Sequence, residues 1–227
     1  MDYILTHAFV RRVARITAFI SAIGVSALGL FVHVFPVLDS DIAISRGIQN
    51  LNPRVFEPLM ASVSIFGAPS VATVSILLAV AIFFMLSYRR EAGFMLFAFA
   101  GDGVNMLLKI LVDRPRPSAD MVAVMSQLAD RSFPSGHVVH YVIFFGLLYV
   151  IISFRWALAR WAKLLITLLF LGLIVGIAIS RVYLGVHWAT DVLGGYMAGF
   201  AMLWAILHFY FQPHRAREIS AIRDKAA

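Results

Sequence analysis

Three short stretches of this chain gather side chains capable of chemistry. Lys109 is followed by Asp113-Arg114-Pro115-Arg116-Pro117, Pro134-Ser135-Gly136-His137 opens one apolar run, Ser180-Arg181 closes another, and His187 and Asp191 open the next. Lys109, Arg116 and Arg181 supply fixed positive charge, and a guanidinium matches phosphate oxygens in a two-point fork. Ser135 and the Gly136 amide stand at a helix amino terminus, where unpaired N–H groups and the helix dipole favour an anion. The ligand these residues suit is a phosphate. Two histidines without a cysteine then divide into a nucleophile and an acid/base. Asp191 lies four residues after His187, on the same helical face one turn on, where it can hold the ring nitrogen that does not react. A carboxylate there fixes the tautomer and stabilises the cation formed on attack, so His187 is the better nucleophile. His137 is left to protonate the departing oxygen. A metal site built from His137, His140 and His187 is the alternative, but three neighbouring cations would repel a divalent ion and no cluster of acids accompanies them.

The elements that must position these residues follow from composition. Of 227 residues 61% are hydrophobic and 14% charged, where a soluble domain averages roughly 45–50% and about 25%. The chain is therefore expected to be a membrane protein. Its net charge of +7, from 19 Lys+Arg against 12 Asp+Glu, fits cytoplasmic loops that collect basic residues rather than a nucleic-acid partner. The absence of cysteine excludes disulfides, thiolate nucleophiles and Cys-ligated metals. A crossing helix needs about 20 apolar residues, and six runs near that length occur, at 16–38, 69–87, 92–112, 137–153, 163–183 and 189–211. The expected fold is all-α, one membrane domain over 1–227. The basic stretch before the first run resembles a secretory signal, but the run is too long for one and reads as an uncleaved anchor. Phe56 to Phe66 could form a separate short helix before Gly67, Ala68 and Pro69 make a turn.

An amino terminus in the cytoplasm puts Arg11/Arg12/Arg15, Arg89/Arg90, Arg155/Arg160/Lys163 and the tail residues Arg215, Arg217, Arg223 and Lys225 on that side. The opposite loops are balanced: 39–58 holds Asp39, Asp41 and Glu57 against Arg46 and Arg54, and 113–134 pairs three Asp with three Arg. Both termini are thus expected to be cytoplasmic. All the chemical residues then fall at the outer membrane level, where four helices meet. Ile44, Ile48 and Leu51 in one outer loop, and Met121, Met125 and Leu128 in the other, carry the spacing of interfacial helices.

Other polar residues have quieter readings. Asp102 and Asn105 lie below Lys109 on the third span and could support the site, although a buried structural contact is the reading favoured for Asp102. His140 could support His137 or bond a neighbouring helix. Asp113, Arg114 and Arg131 read as solvated loop charges, with a lipid headgroup as the other partner. His33 and His208 lie near span ends, where amphipathic rings settle. Gly172/Gly176 and Gly195/Gly199 would let the last two spans approach closely and so fix Arg181 relative to His187.

Lys109 to Pro117 fits Lys-x6-Arg-Pro, residues 134–137 are Pro-Ser-Gly-His, and Ser180 to Asp191 fits Ser-Arg-x5-His-x3-Asp. Together these resemble the three-part signature of the type 2 phosphatidic acid phosphatase family, whose soluble relatives include vanadium haloperoxidases and acid phosphatases. The resemblance implies a six-span fold and hydrolysis of lipid phosphates or pyrophosphates through a phosphohistidine on His187. It gives Asp191 the orienting role and His137 that of acid and then base. Lys109, Arg116, Ser135, Gly136 and Arg181 would hold the phosphoryl oxygens, with no metal or other cofactor. Undecaprenyl pyrophosphate is the leading substrate expectation. Phosphatidate, phosphatidylglycerol phosphate, a lipid phosphotransferase and a non-catalytic anionic-lipid binder or transporter are the competing readings. The oligomeric state stays open.

Overall fold

The computed structural model describes residues 2–51, 53–126 and 128–226. The side chains of Arg11, Arg215, Arg217, Arg223 and Lys225, which enter the orientation argument, lie outside the described ones. Among the described residues all regular structure is helical: α1 Asp2–Val34, α2 Asp39–Gln49, α3 Pro53–Ser64, a single 3-10 turn Ile65–Gly67, α4 Pro69–Met85, α5 Arg89–Met95, α6 Phe97–Val112, α7 Gly136–Arg155, α8 Arg160–Tyr183 and α9 Ala189–Ala226. Among the described residues five helical stretches are long and apolar enough to cross a membrane, and a sixth span results when α3 and α4 count as one, bent by 55°.

Local chemistry sets the boundaries. Pro69 begins α4 at a position whose N–H needs no partner. Asp113 ends α6 in the left-handed region (φ 51°) and returns its N–H to the Lys109 carbonyl before Pro115 and Pro117 bar any continuation. Ser135 precedes the first turn of α7 in an extended conformation without spending its hydroxyl on a cap. A separate short helix does precede the turn, as α3 over Pro53–Ser64 with residues 65–66 in the 3-10 turn, and that turn approaches the site.

Helix α7 is the centre of the bundle. Val138 to Phe145 are buried without interruption, because α6, α8, α9 and the 3-10 turn pack around them, while α1 lies along α9. The outside is apolar: Phe19, Ile20 and Leu30 on α1 and Trp161, Leu164 and Leu168 on α8 are all more than half exposed. Such a surface suits hydrocarbon rather than water.

Two packing expectations are corrected. Gly195 and Gly199 bring α9 against α7, with Val138 and Val142 at 2.9 and 2.8 Å from where their Cβ atoms would stand. Gly176 faces Val63 on α3, and Gly172 meets nothing. These glycines therefore do not clamp the last two spans together; Gly195 and Gly199 serve the packing of α9 on α7, and Gly176 that of α8 on α3. Helix α2 forms over the first outer stripe, but Met121, Met125 and Leu128 form no helix. Their segment spends its backbone elsewhere: the Met125 N–H bonds the Leu184 carbonyl, Gln49 bonds both N and O of Ala123, and Arg46 Nε bonds the Met121 carbonyl. Side chains of α2 take the partners that a helical turn would have used.

Candidate active site

The loop Leu184 to Trp188, between α8 and α9, carries His187, which is 1% exposed. Its Nδ1 lies 3.4 Å from Asp191 Oδ2 one turn on, and Arg116 Nη1 approaches its Nε2 at 3.2 Å. A guanidinium only donates and an ionised carboxylate only accepts. The two contacts therefore select the tautomer with the proton on Nδ1 and the lone pair on Nε2, where it accepts from Arg116. Burial, then the charges of Arg116, Arg181 and Lys109, hold the His187 pKa well below the usual 6.5. The ring is neutral at physiological pH, as attack through Nε2 requires.

Asp191 is fully buried and heavily bonded. Oδ2 accepts from the Trp188 N–H at 2.9 Å and from the Ser132 hydroxyl, and Oδ1 pairs with Arg114 Nη1 at 2.5 Å. Arg114 in turn reaches Asp41 Oδ2 at 2.7 Å and the Pro36 carbonyl at 2.9 Å, while Thr190 bonds Asp41 through both N–H and hydroxyl. This overturns the reading of Arg114 as a solvated charge. Its side chain is wholly buried, because two buried carboxylates need a cation between them. Asp113 and Arg131 do pair on the exposed surface as loop charges.

The cationic wall is assembled from three elements. Lys109, in the last turn of α6, and Arg116, in the following loop, both reach Asp130, at 2.9 and 2.5 Å. Arg116 also bonds the Val186 carbonyl at 2.5 Å. Arg181, in the last turn of α8, donates Nη1 to Ser64 Oγ at 2.5 Å and leaves a buried Nε with no protein partner. The Ser135 hydroxyl at the start of α7 is also buried and unpartnered. Its backbone N–H bonds the Asp191 carbonyl at 3.0 Å, which fastens the start of α7 to α9. Unpaired donors in a buried cationic pocket are what an incoming oxyanion satisfies.

His137 follows in the first turn of α7. The 3-10 turn lies flat against it: a Cβ on Gly67 would stand 2.3 Å from His137 Cδ2. Asn105 packs on Gly136, its Nδ2 2.8 Å from where a Cβ would be. The two nearby candidates stand apart. His140 stacks on Phe144 (ring centroids 5.4 Å apart, 12° between planes) with neither ring nitrogen hydrogen-bonded, and Asp102 lies 3.9 Å from it with 45% of its side chain exposed. Asp102 is thus not the buried contact expected, since its place on α6 turns it partly toward the bundle's outside. Among the described residues no group of three or more His or acidic side chains could hold a metal ion.

Sequence reasoning missed Arg114, Asp41, Thr190, Ser132, Asp130, Ser64 and Gly67. A signal for Arg114 existed: a buried Asp191 requires a cation, and Arg-Pro-Arg-Pro offers two. Nothing in the sequence pointed to Ser64 and Gly67, which depend on how the broken span folds back.

The sequence profile of the PAP2 superfamily matches residues 91–215. The chain belongs to the PAP2 superfamily. It is 29% identical over 194 residues to "Phosphatidylglycerophosphatase B" of Bacillus subtilis (strain 168), covering 84% of this chain and 93% of that one. It is 34% identical over 166 residues to "Putative undecaprenyl-diphosphatase YbjG" of Escherichia coli (strain K12), covering 67% and 79%. Among solved structures, the transmembrane PAP2 type phosphatidylglycerolphosphate phosphatase from Bacillus subtilis superimposes with a TM-score of 0.76 at 26% identity, over 85% of this chain and 95% of the other. Aquifex aeolicus LpxE shares the fold, with a TM-score of 0.59 at 19% identity, over 76% and 98%. This PAP2 protein is therefore a multi-helix membrane phosphatase of the lipid phosphate type.

Proposed function

We propose that this PAP2 enzyme hydrolyses a lipid phosphate or pyrophosphate through a covalent phosphohistidine on His187. The observation that carries the reading is the pair of contacts on the His187 ring, Asp191 behind Nδ1 and Arg116 beside Nε2. Nε2 attacks phosphorus as the bond to the lipid-side oxygen breaks, and His137 delivers a proton to that oxygen. The same imidazole then takes a proton from water, which attacks the phosphohistidine and releases orthophosphate. Lys109, Arg116, Arg181, Ser135 and the Gly136 amide hold the three non-bridging oxygens, whose charge must be stabilised throughout. These residues perform the charge neutralisation in this scheme, which therefore needs no metal ion.

The leading substrate is a polyprenyl pyrophosphate such as undecaprenyl pyrophosphate, supported by the 34% identical Escherichia coli relative. Phosphatidylglycerol phosphate is the second reading, supported by the relative covered over 93% of its length and by the structure of TM-score 0.76. Purified enzyme with EDTA and a detergent-dispersed panel of prenyl pyrophosphate, phosphatidylglycerol phosphate and phosphatidate tests both. Prenyl pyrophosphate is expected to show the highest kcat/KM. Preference for phosphatidylglycerol phosphate would establish the second reading, and no phosphate release from any of them would sink the enzymatic one.

In this reading the site faces the extracytoplasmic side of a bacterial-type inner membrane with both termini inside, an orientation supported by the basic residues Arg89/Arg90 and Arg155/Arg160/Lys163 at the opposite helix ends. The chain has no cysteine, so Ser118→Cys, in the loop beside Arg116, supplies a single label. An impermeant maleimide should modify it in intact spheroplasts, and labelling only after lysis would reverse the orientation.

A further inference from the structure

One carboxylate occupies two of the three phosphate-holding cations. Asp130 spans Lys109 Nζ and Arg116 Nη2 with its two oxygens, at 2.9 and 2.5 Å, and its backbone carbonyl takes Arg116 Nε at 2.8 Å. Exposure is lopsided: the Asp130 side chain is 57% exposed and those of Lys109 and Arg116 are 12% and 11%. The carboxylate therefore sits at the mouth with the cations behind it. The bonding pattern, two oxygens of one anion across a lysine and an arginine, is also the one a phosphate would make there.

We propose that Asp130 is a specificity-determining residue, the resident counter-anion of the phosphate cradle. An incoming headgroup must displace it, so the site admits phosphate monoesters and pyrophosphates and refuses the singly charged phosphodiesters of the surrounding bilayer. This inference rests on the phosphate reading of the same site. The physical argument is one of charge and tethering. A phosphodiester carries one negative charge, as Asp130 does, and exchange between them yields no Coulombic gain. Asp130 is held in place by its own chain and so competes at high effective concentration. A monoester dianion or a pyrophosphate brings at least one more charge to the same cations and can prevail. Burial raises the Asp130 pKa, but the hydrogen bond from Lys109 and the charges of Lys109 and Arg116 outweigh it and bring the group to about 2. It remains an anion at every physiological pH.

The test compares wild type, Asp130→Asn and Asp113→Asn in detergent. Asp113 is the control, an exposed carboxylate on the same loop whose side-chain ion pair is with Arg131 and not with Lys109 or Arg116. Orthovanadate binding, followed by thermal shift, reads the cradle without turnover. Asp130→Asn is expected to bind it about fivefold more tightly than wild type, with Asp113→Asn unchanged. In mixed micelles containing phosphatidylglycerol, a phosphodiester, hydrolysis of the preferred monoester or pyrophosphate should be competitively inhibited in Asp130→Asn and unaffected in wild type. Asp130→Glu keeps the charge and should keep the refusal. Unchanged or weaker vanadate binding in Asp130→Asn, or diester inhibition equal in Glu and Asn variants, would overturn the proposal. Vanadate binding that tightens as expected in an enzyme that hydrolyses no lipid phosphate would instead fault the catalytic reading and leave the counter-anion role standing.

Discussion

Helix α7 carries a buried polar cluster at each end, and the two are built on opposite principles. At its C-terminal end Arg155 donates Nε to Glu91 Oε1 at 2.8 Å, Tyr210 bonds the same oxygen at 3.0 Å, and the Arg155 guanidinium lies 5.5 Å from the Tyr88 ring centre. Glu91 is 1% exposed and its charge is answered at once. At the N-terminal end the cations outnumber their carboxylates and the donors on Ser135 and Arg181 are left over. A satisfied buried ion pair ties helices together. A buried cluster with spare donors is incomplete without a ligand. One helix thus shows how the balance of partners, and not polarity itself, separates a clamp from a reactive site.

The contrast breaks most sharply at His187. His187→Ala should lower turnover by more than about a thousandfold while orthovanadate still binds, since the cations remain; phosphate release measured beside thermal shift separates the two. Arg114→Gln comes next. It leaves Asp41 and Asp191 buried and short of a cation, and thermal unfolding in detergent should register a loss of about 3–5 kcal/mol. Gly67→Ala tests whether the broken span seats His137. The new methyl must push the ring away, and kcat should fall by up to about a hundredfold with KM little changed, which steady-state kinetics would show.

At the other end of α7, Glu91→Gln should cost about 1–3 kcal/mol of stability yet leave kcat/KM per folded molecule as in wild type. A large kinetic defect there would erase the distinction between the two clusters. The smallest effect is in pH dependence. With its pKa pressed well below 6.5, His187 stays unprotonated as pH falls through 6.5, so its contribution to kcat/KM persists there and is lost only near the lower, folded-state value. Arg116→Gln removes a repelling charge, raises that pKa and should move the acid limb to higher pH.

The spans were legible because hydrocarbon thickness acts on every residue of a run, and five of the six runs stand as single spans within a few residues of their expected ends. The cradle was legible because each residue type has one chemical use at its spacing. Arg114 and Asp41 were not, since loop charges 73 positions apart in sequence give no sign that folding will bury them together. Asp130 was hidden for a related reason: in sequence it is one of three balanced loop acids, and only the fold singles it out by aiming it at Lys109 and Arg116. The Met121/Met125/Leu128 spacing misled because periodicity ignores competing partners, here Gln49 and Arg46.

The most direct test is to trap the intermediate. Alkaline quench of wild type during turnover of a substrate labelled with radioactive phosphorus should leave a base-stable, acid-labile label on the protein, absent in His187→Ala. An enzyme that turns over without acquiring label, or a label that survives in His187→Ala, would contradict attack by His187.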